Sequence, residues 1–129
     1  MAAPLSGSSD SLSNSTTIIE LEKRTTHTGR GTWYYPGLGN CGYTDDSNDD
    51  VVAMSKAFYD NNGGSNCNQW IQIKNTKNGK VAYGKMRDSC PGCGYNDLDM
   101  SPAVFKQLGT LDQGVLSISW HFEAMGWSP

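Results

Sequence analysis

No stretch of this 129-residue chain approaches the roughly 18 consecutive apolar residues that span a bilayer. Its longest apolar groupings are broken by Ser, Lys or Gly, and no membrane partner is expected. Positive charge is equally thin. Ten Lys and Arg are scattered among 13 Asp and Glu, for a formal net charge of -3 and a pI near 5.1, which leaves no basic field for a nucleic acid. Histidine is scarce: His27 sits in a polar tail, His121 has no partner that the sequence identifies, and no Ser-nucleophile motif occurs. Neither a metal nor a cofactor is expected. The length suits one domain, and the 15 Gly suggest that it is rich in loops.

Residues 1–29 lack aromatic side chains and are dominated by Ser, Thr and Asn, a composition that buries too little apolar area to offset the entropy of ordering. This segment is expected to be a disordered tail. Asn14-Ser15-Thr16 is an N-glycosylation sequon and Lys23-Arg24 a dibasic pair. With the cysteines, these suggest a secreted, extracellular precursor of the fungal type, cleaved after Arg24. Without a hydrophobic signal core, Met1 would then replace a removed signal peptide. The expected domain runs over 30–123, followed by a short tail over 124–129.

Gly31–Tyr35 (GTWYY) reads as a first strand, ended by Pro36-Gly37. SNDD before VVAMSKAFYD predicts a helix over about 49–59 with Val51, Val52, Met54, Ser55 and Phe58 on one face, stopped by Asn61-Asn62-Gly63-Gly64. QWIQIKN and KVAYGKM alternate on either side of Lys77-Asn78-Gly79, a hairpin signal. Ser101-Pro102 opens a helix that Gly109 ends. GVLSISWHF alternates as a last strand, with Leu116, Ile118, Trp120 and Phe122 on one side. A mainly β fold follows, with two or three short helices, and so many short strands suggest closure into a barrel.

Cys90 and Cys93 lie in RDSCPGCGYNDLDMS, while Cys41 and Cys67 lie 26 positions apart. Thioredoxin-type chemistry needs the first Cys of such a pair at a helix start, and Gly94-Tyr95-Asn96 opens no helix. A structural zinc site usually shows two close pairs. Two structural disulfides suit a small domain in an oxidising compartment best, and the residues leave their connectivity open.

The order G-x-G-T-W-Y, G-x-x-x-C-G-Y, VVAMSKAFYD, C-x-x-W-I-Q-I, R-D-S-C-x-G-C, D-L-D-M-S-P-x-x-F and I-S-W resembles the first domain of expansins. It is more similar still to the single-domain loosenins and to the barrel of rare lipoprotein A, a barwin-related group. The resemblance covers about residues 30–122. It implies a six-stranded double-psi β-barrel with an open groove for polysaccharide, and pairing of Cys41 with Cys67 and of Cys90 with Cys93. It also implies that Thr32 and Tyr34 floor the groove, that Asp88 is a groove aspartate, and that Asp99 is the essential acid. Trp33 is a further groove candidate, as compatible with the core as Trp120. Where expansins often carry a groove Tyr two residues after the first aspartate, this chain has Cys90; Tyr95 is the substitute considered.

Inverting glycoside hydrolysis needs a second carboxylate to activate water. The related barrel hydrolases keep that base four residues after the Thr, where this chain has Pro36. The resemblance therefore implies a monomer that binds cellulose, chitin or a related glucan and loosens it with no net hydrolysis. A lytic transglycosylase or weak endoglucanase, and a protein-binding module such as a protease inhibitor, are the alternatives. Asp97 and Asp99 are two apart and point the same way if extended, so Asp97 is expected to help keep Asp99 protonated. Met100, Ile71, Ile73, Phe105 and Ile118 are expected in the core.

Overall fold

A computed structural model describes residues 25–129, so the sequon and the dibasic pair lie outside the described residues. The elements are β1 (His27–Trp33), β2 (Val51–Ser55), α1 (Lys56–Asn61), β3 (Trp70–Asn75), β4 (Val81–Cys90), β5 (Leu98–Met100), α2 (Pro102–Leu108), a 3₁₀ turn (Leu111–Gln113) and β6 (Leu116–Phe122). The strands close a six-stranded barrel in the order β1-β5-β2-β4-β3-β6. β1 with β5 and β2 with β4 pair in parallel, and the remaining neighbours are antiparallel. This is a double-psi β-barrel. Closure leaves no free sheet edge, and the alternate residues that face inward form the core: Met54, Ile71, Ile73, Met86, Leu98, Met100, Phe105, Ile118, Trp120 and Phe122 are all buried.

The hairpin forms as expected: Gly79 adopts φ +77° and the Asn75 amide donates to the Lys80 carbonyl. Lys74, Gln72 and Trp70 face outward while Ile73 and Ile71 are buried. Ser101 caps α2, accepting from the Val104 amide, and Pro102 sits in its first turn. Trp127 folds back from the C-terminal residues onto Tyr83, with 5.3 Å between ring centroids.

Two expectations need correction. The helix expected over 49–59 is mostly strand: Val51–Ser55 form β2, and only Lys56–Asn61 is helical, capped by the Ser55 hydroxyl, which accepts from the Phe58 amide. All five residues of β2 are buried: its backbone is paired along both edges, to β4 and β5, with Val52 and Met54 in the core and Val51, Ala53 and Ser55 buried on the other face. A short continuous apolar run has the same composition whether it is a doubly covered strand or a helix face. The first strand also begins at His27 and ends at Trp33, so it lies earlier than GTWYY suggests. His27 is no tail residue: it pairs with Trp120 across to β6 and stacks on that indole at 4.4 Å. Its ladder passes through Gly29, where a Cβ would lie 2.4 Å from the Asn96 carbonyl oxygen, so β1 approaches the loop before β5 closely only because that position is glycine.

Candidate functional site

Strand register builds the site. Thr32 on β1 pairs with Asp99 on β5, Asp99 pairs with Ala53 on β2, and Ala53 pairs with Asp88 on β4. Residues aligned across neighbouring strands point to the same face. These four therefore make one row across four strands, on the outside of the barrel. Their neighbours Val52, Met86 and Met100 point into the core. A register shift between Val52 and Ala53 makes Arg87 the extra residue of a bulge and brings Asp88 into the row.

The Thr32 hydroxyl donates to Asp99 Oδ1 at 2.9 Å. Burial pushes the Asp99 carboxyl above the ordinary aspartate range; the Thr32 hydrogen bond opposes the shift, and the charge of Asp88 adds to it. Asp88, rather than the expected Asp97, is thus the carboxylate that acts on Asp99. Asp88 itself accepts from the amides of Asn40 and Ser89, each through Oδ1. The loop carrying Asn40 reaches β4 because residue 39 is glycine: a Cβ there would lie 2.4 Å from the Arg87 carbonyl oxygen. The Asn40 side-chain amide also bonds the Ser89 hydroxyl. Tyr34, whose amide donates to the Met100 carbonyl, completes the cluster. Its phenol is held well above its usual range by burial and then by Asp88, Asp99 and Asp45, so it stays a neutral donor.

Both disulfides form, Cys41–Cys67 and Cys90–Cys93. An Asp99 carboxylate oxygen and the Sγ atoms of Cys90 and Cys93 lie within 4.8 Å of one another. The sulfurs are bonded together, so this cluster packs a covalent clamp against the acid between the loop that ends β4 and the strand that carries Asp99.

Thr32, Tyr34, Asp88 and Asp99 therefore come together, and the other candidates lie elsewhere in the architecture. Trp33 turns toward the core and donates its indole N–H to the Leu111 carbonyl at 3.0 Å; Trp120 is buried. Asp97 braces its own loop, accepting from the Arg30 and Gly94 amides. Tyr95 stacks on Phe58 at 4.5 Å and accepts from Asn61 through its hydroxyl, leaving it on the side of α1. Sequence reasoning missed Ala53, the methyl between the two carboxylates, because its strand read as helix. It also missed Asn40, whose only signal was its place before the Cys-Gly of G-N-C-G-Y.

No family model matches the chain. It is 35% identical over 101 residues to the papain inhibitor of Streptomyces mobaraensis, covering 74% of this chain and 70% of that protein. It is 34% identical over 105 residues to expansin-like protein 5 of Dictyostelium discoideum, covering 72% of this chain but only 43% of that protein. Among solved structures, the Streptomyces papain inhibitor superposes with a TM-score of 0.67 at 32% identity, over 78% of this chain and 96% of that one. A mutant Clavibacter michiganensis expansin in complex with cellohexaose superposes with a TM-score of 0.69 at 27% identity, over 81% of this chain and 54% of that one. The chain belongs to the family of double-psi β-barrels that takes in the papain inhibitor and the expansin-like proteins.

Proposed function

We propose that the protein binds a cell-wall polysaccharide of the cellulose or chitin type along the Thr32–Asp99–Ala53–Asp88 row and loosens contacts between chains without cleaving them. The observation that carries this reading is the row itself. Asp99, biased toward its protonated form, offers a donor to a glycosidic or hydroxyl oxygen, and Asp88 and Tyr34 supply further polar groups beside it. Inversion would require a carboxylate on the opposite face of the sugar from the acid. Asp88 and Asp99 lie on one face of one sheet row, so both meet the same side of a chain laid on it, and residue 36 is proline. The expansin neighbour, 54% of which this chain covers, is solved in complex with cellohexaose, which favours a glucan as the class of ligand. Two disulfides suit a secreted protein in an oxidising compartment.

The test is a panel of insoluble polysaccharides with wild type and Asp99→Asn. Co-sedimentation and fibre swelling without new reducing ends are expected for wild type, and swelling should vanish in the variant. Soluble fragments or new reducing ends would establish an enzyme instead.

A second reading is favoured by the Streptomyces papain inhibitor, of whose solved chain the superposition covers 96%. In that reading the protein blocks a cysteine protease through exposed apolar side chains of the loop after β1, where Tyr35 is 74% and Leu38 75% exposed. Papain inhibition by wild type that survives Asp99→Asn and is lost in Tyr35→Ala/Leu38→Ala would establish it.

A further inference from the structure

The outer face of β2 and β4 carries a second row beside the first. Trp70 pairs with Lys85, and Lys85 with Val51. Along β2 only Val52 separates Val51 from Ala53, a step of about 7 Å. A cavity of about 150 Å³ lies on this second row, walled by Asp45, Asp49, Asp50 and Arg87. Asp45 serves both places, since it lines the cavity and its charge also acts on Tyr34. The cavity adjoins the Asp99 row through Arg87, the bulge residue next to Asp88 in β4.

The lining has the chemistry that sugar hydroxyls need, acceptors and donors around an aromatic side chain. The Lys85 ammonium stands 5.6 Å from the centre of the Trp70 ring. The Arg87 guanidinium lies 4.0 Å over Tyr43 and donates through Nη1 to Asn68. Its Nε lies 3.3 Å from the Asp45 carboxylate but out of alignment for a hydrogen bond, and it is buried with no hydrogen-bond partner. Nε is thereby turned to the Asp45 carboxylate, so Arg87 fixes one wall of the cavity and leaves the Lys85 ammonium and the aspartate carboxylates as the polar groups of its lining. Three carboxylates against Lys85 and an Arg87 already facing Asp45 make the cavity unfavourable to an anionic sugar.

We propose that this cavity is a second saccharide subsite, holding one uncharged sugar residue of a glycan whose neighbouring residues lie on the Thr32–Asp99–Ala53–Asp88 row. The subsite rests on the polysaccharide reading above and names the part of the surface that reading does not use. It makes binding depend on chain length: a disaccharide fills the Asp99 row alone, whereas a hexasaccharide reaches both.

Calorimetric titration of cello- and chito-oligosaccharides, from disaccharide to hexasaccharide, is the test, with wild type, Asp50→Asn, Lys85→Ala and Asp99→Asn. Asp50 is exposed and Lys85 half-buried on the outer face, so both cavity variants should fold; circular dichroism checks this. The expected result is a hexasaccharide affinity about tenfold weaker in the two cavity variants, with disaccharide affinity unchanged. Adding hexasaccharide, but not disaccharide, should also shift the Trp70 indole N–H resonance. Unchanged hexasaccharide affinity in both cavity variants, with loss in Asp99→Asn, would overturn the subsite and leave the polysaccharide reading standing. No binding of any oligosaccharide to wild type would remove both.

Discussion

The two disulfides close loops of very different length, and that difference separates stability from site geometry. Cys41–Cys67 spans 26 positions and ties the loop after β1 to the segment before β3; Cys90–Cys93 spans 3. Cross-linking restricts the unfolded chain, and the entropy removed grows with the logarithm of the loop length. At 25 °C this gives about 3.5 kcal/mol for the long loop and about 1.6 kcal/mol for the short one. Replacing Cys41 and Cys67 together by Ala should therefore remove a large share of the 5–15 kcal/mol typical of a small domain, with a fall in Tm on the order of 15 °C. Replacing Cys90 and Cys93 should cost about half as much stability. That second change also removes the covalent contact packed against Asp99, so its larger effect should be on glycan binding. Urea unfolding of both double variants measures the first quantity and polysaccharide co-sedimentation the second. A Cys90/Cys93 variant that loses more stability than the Cys41/Cys67 variant, or one that loses no binding, would refute the division of labour.

Asp99→Asn should leave the fold intact and flatten a pH dependence. Because burial raises the Asp99 pKa, its contribution to stability is fully present below the ordinary aspartate value and is lost as pH rises through the folded value; thermal melts across acidic pH should show this slope in wild type and not in the variant. His27 works in the opposite sense. Burial among Trp120, Phe58 and Phe122 lowers its pKa, with the charge of His121 adding to the shift and a bond to Asn96 opposing it. Stability tied to neutral His27 is therefore present above the ordinary value of 6.5 and lost as pH falls through the folded value. His27→Phe should remove that loss in melts, and an unchanged acid-side slope would contradict it. Ala53→Val should place branched methyls between Asp88 and Asp99, costing about 1–3 kcal/mol by overpacking and weakening polysaccharide binding beyond what the stability loss explains. Binding equal to wild type would show that the row is not the contact surface.

Much of this protein is legible in its residues. The alternation of QWIQIKN and LSISWHF places their core faces because a strand has period two, and Asn78-Gly79 marks its turn because that turn needs positive φ. The motif order, through its resemblance to expansins, also implies both cysteine pairings, and both form. Tertiary structure decided what local pattern cannot carry. VVAMS became a strand because β4 and β5 pair with its backbone along both edges, and only then does Ala53 fall between the carboxylates. Asp97 and Asp99, neighbours in sequence, took different roles: the turn before β5 spends the Asp97 carboxylate on the Arg30 and Gly94 amides. Asp88, eleven positions from Asp99, faces it instead because a bulge moves it into register. Sequence spacing sets which side chains are available, whereas strand register across a closed barrel sets which of them share a face.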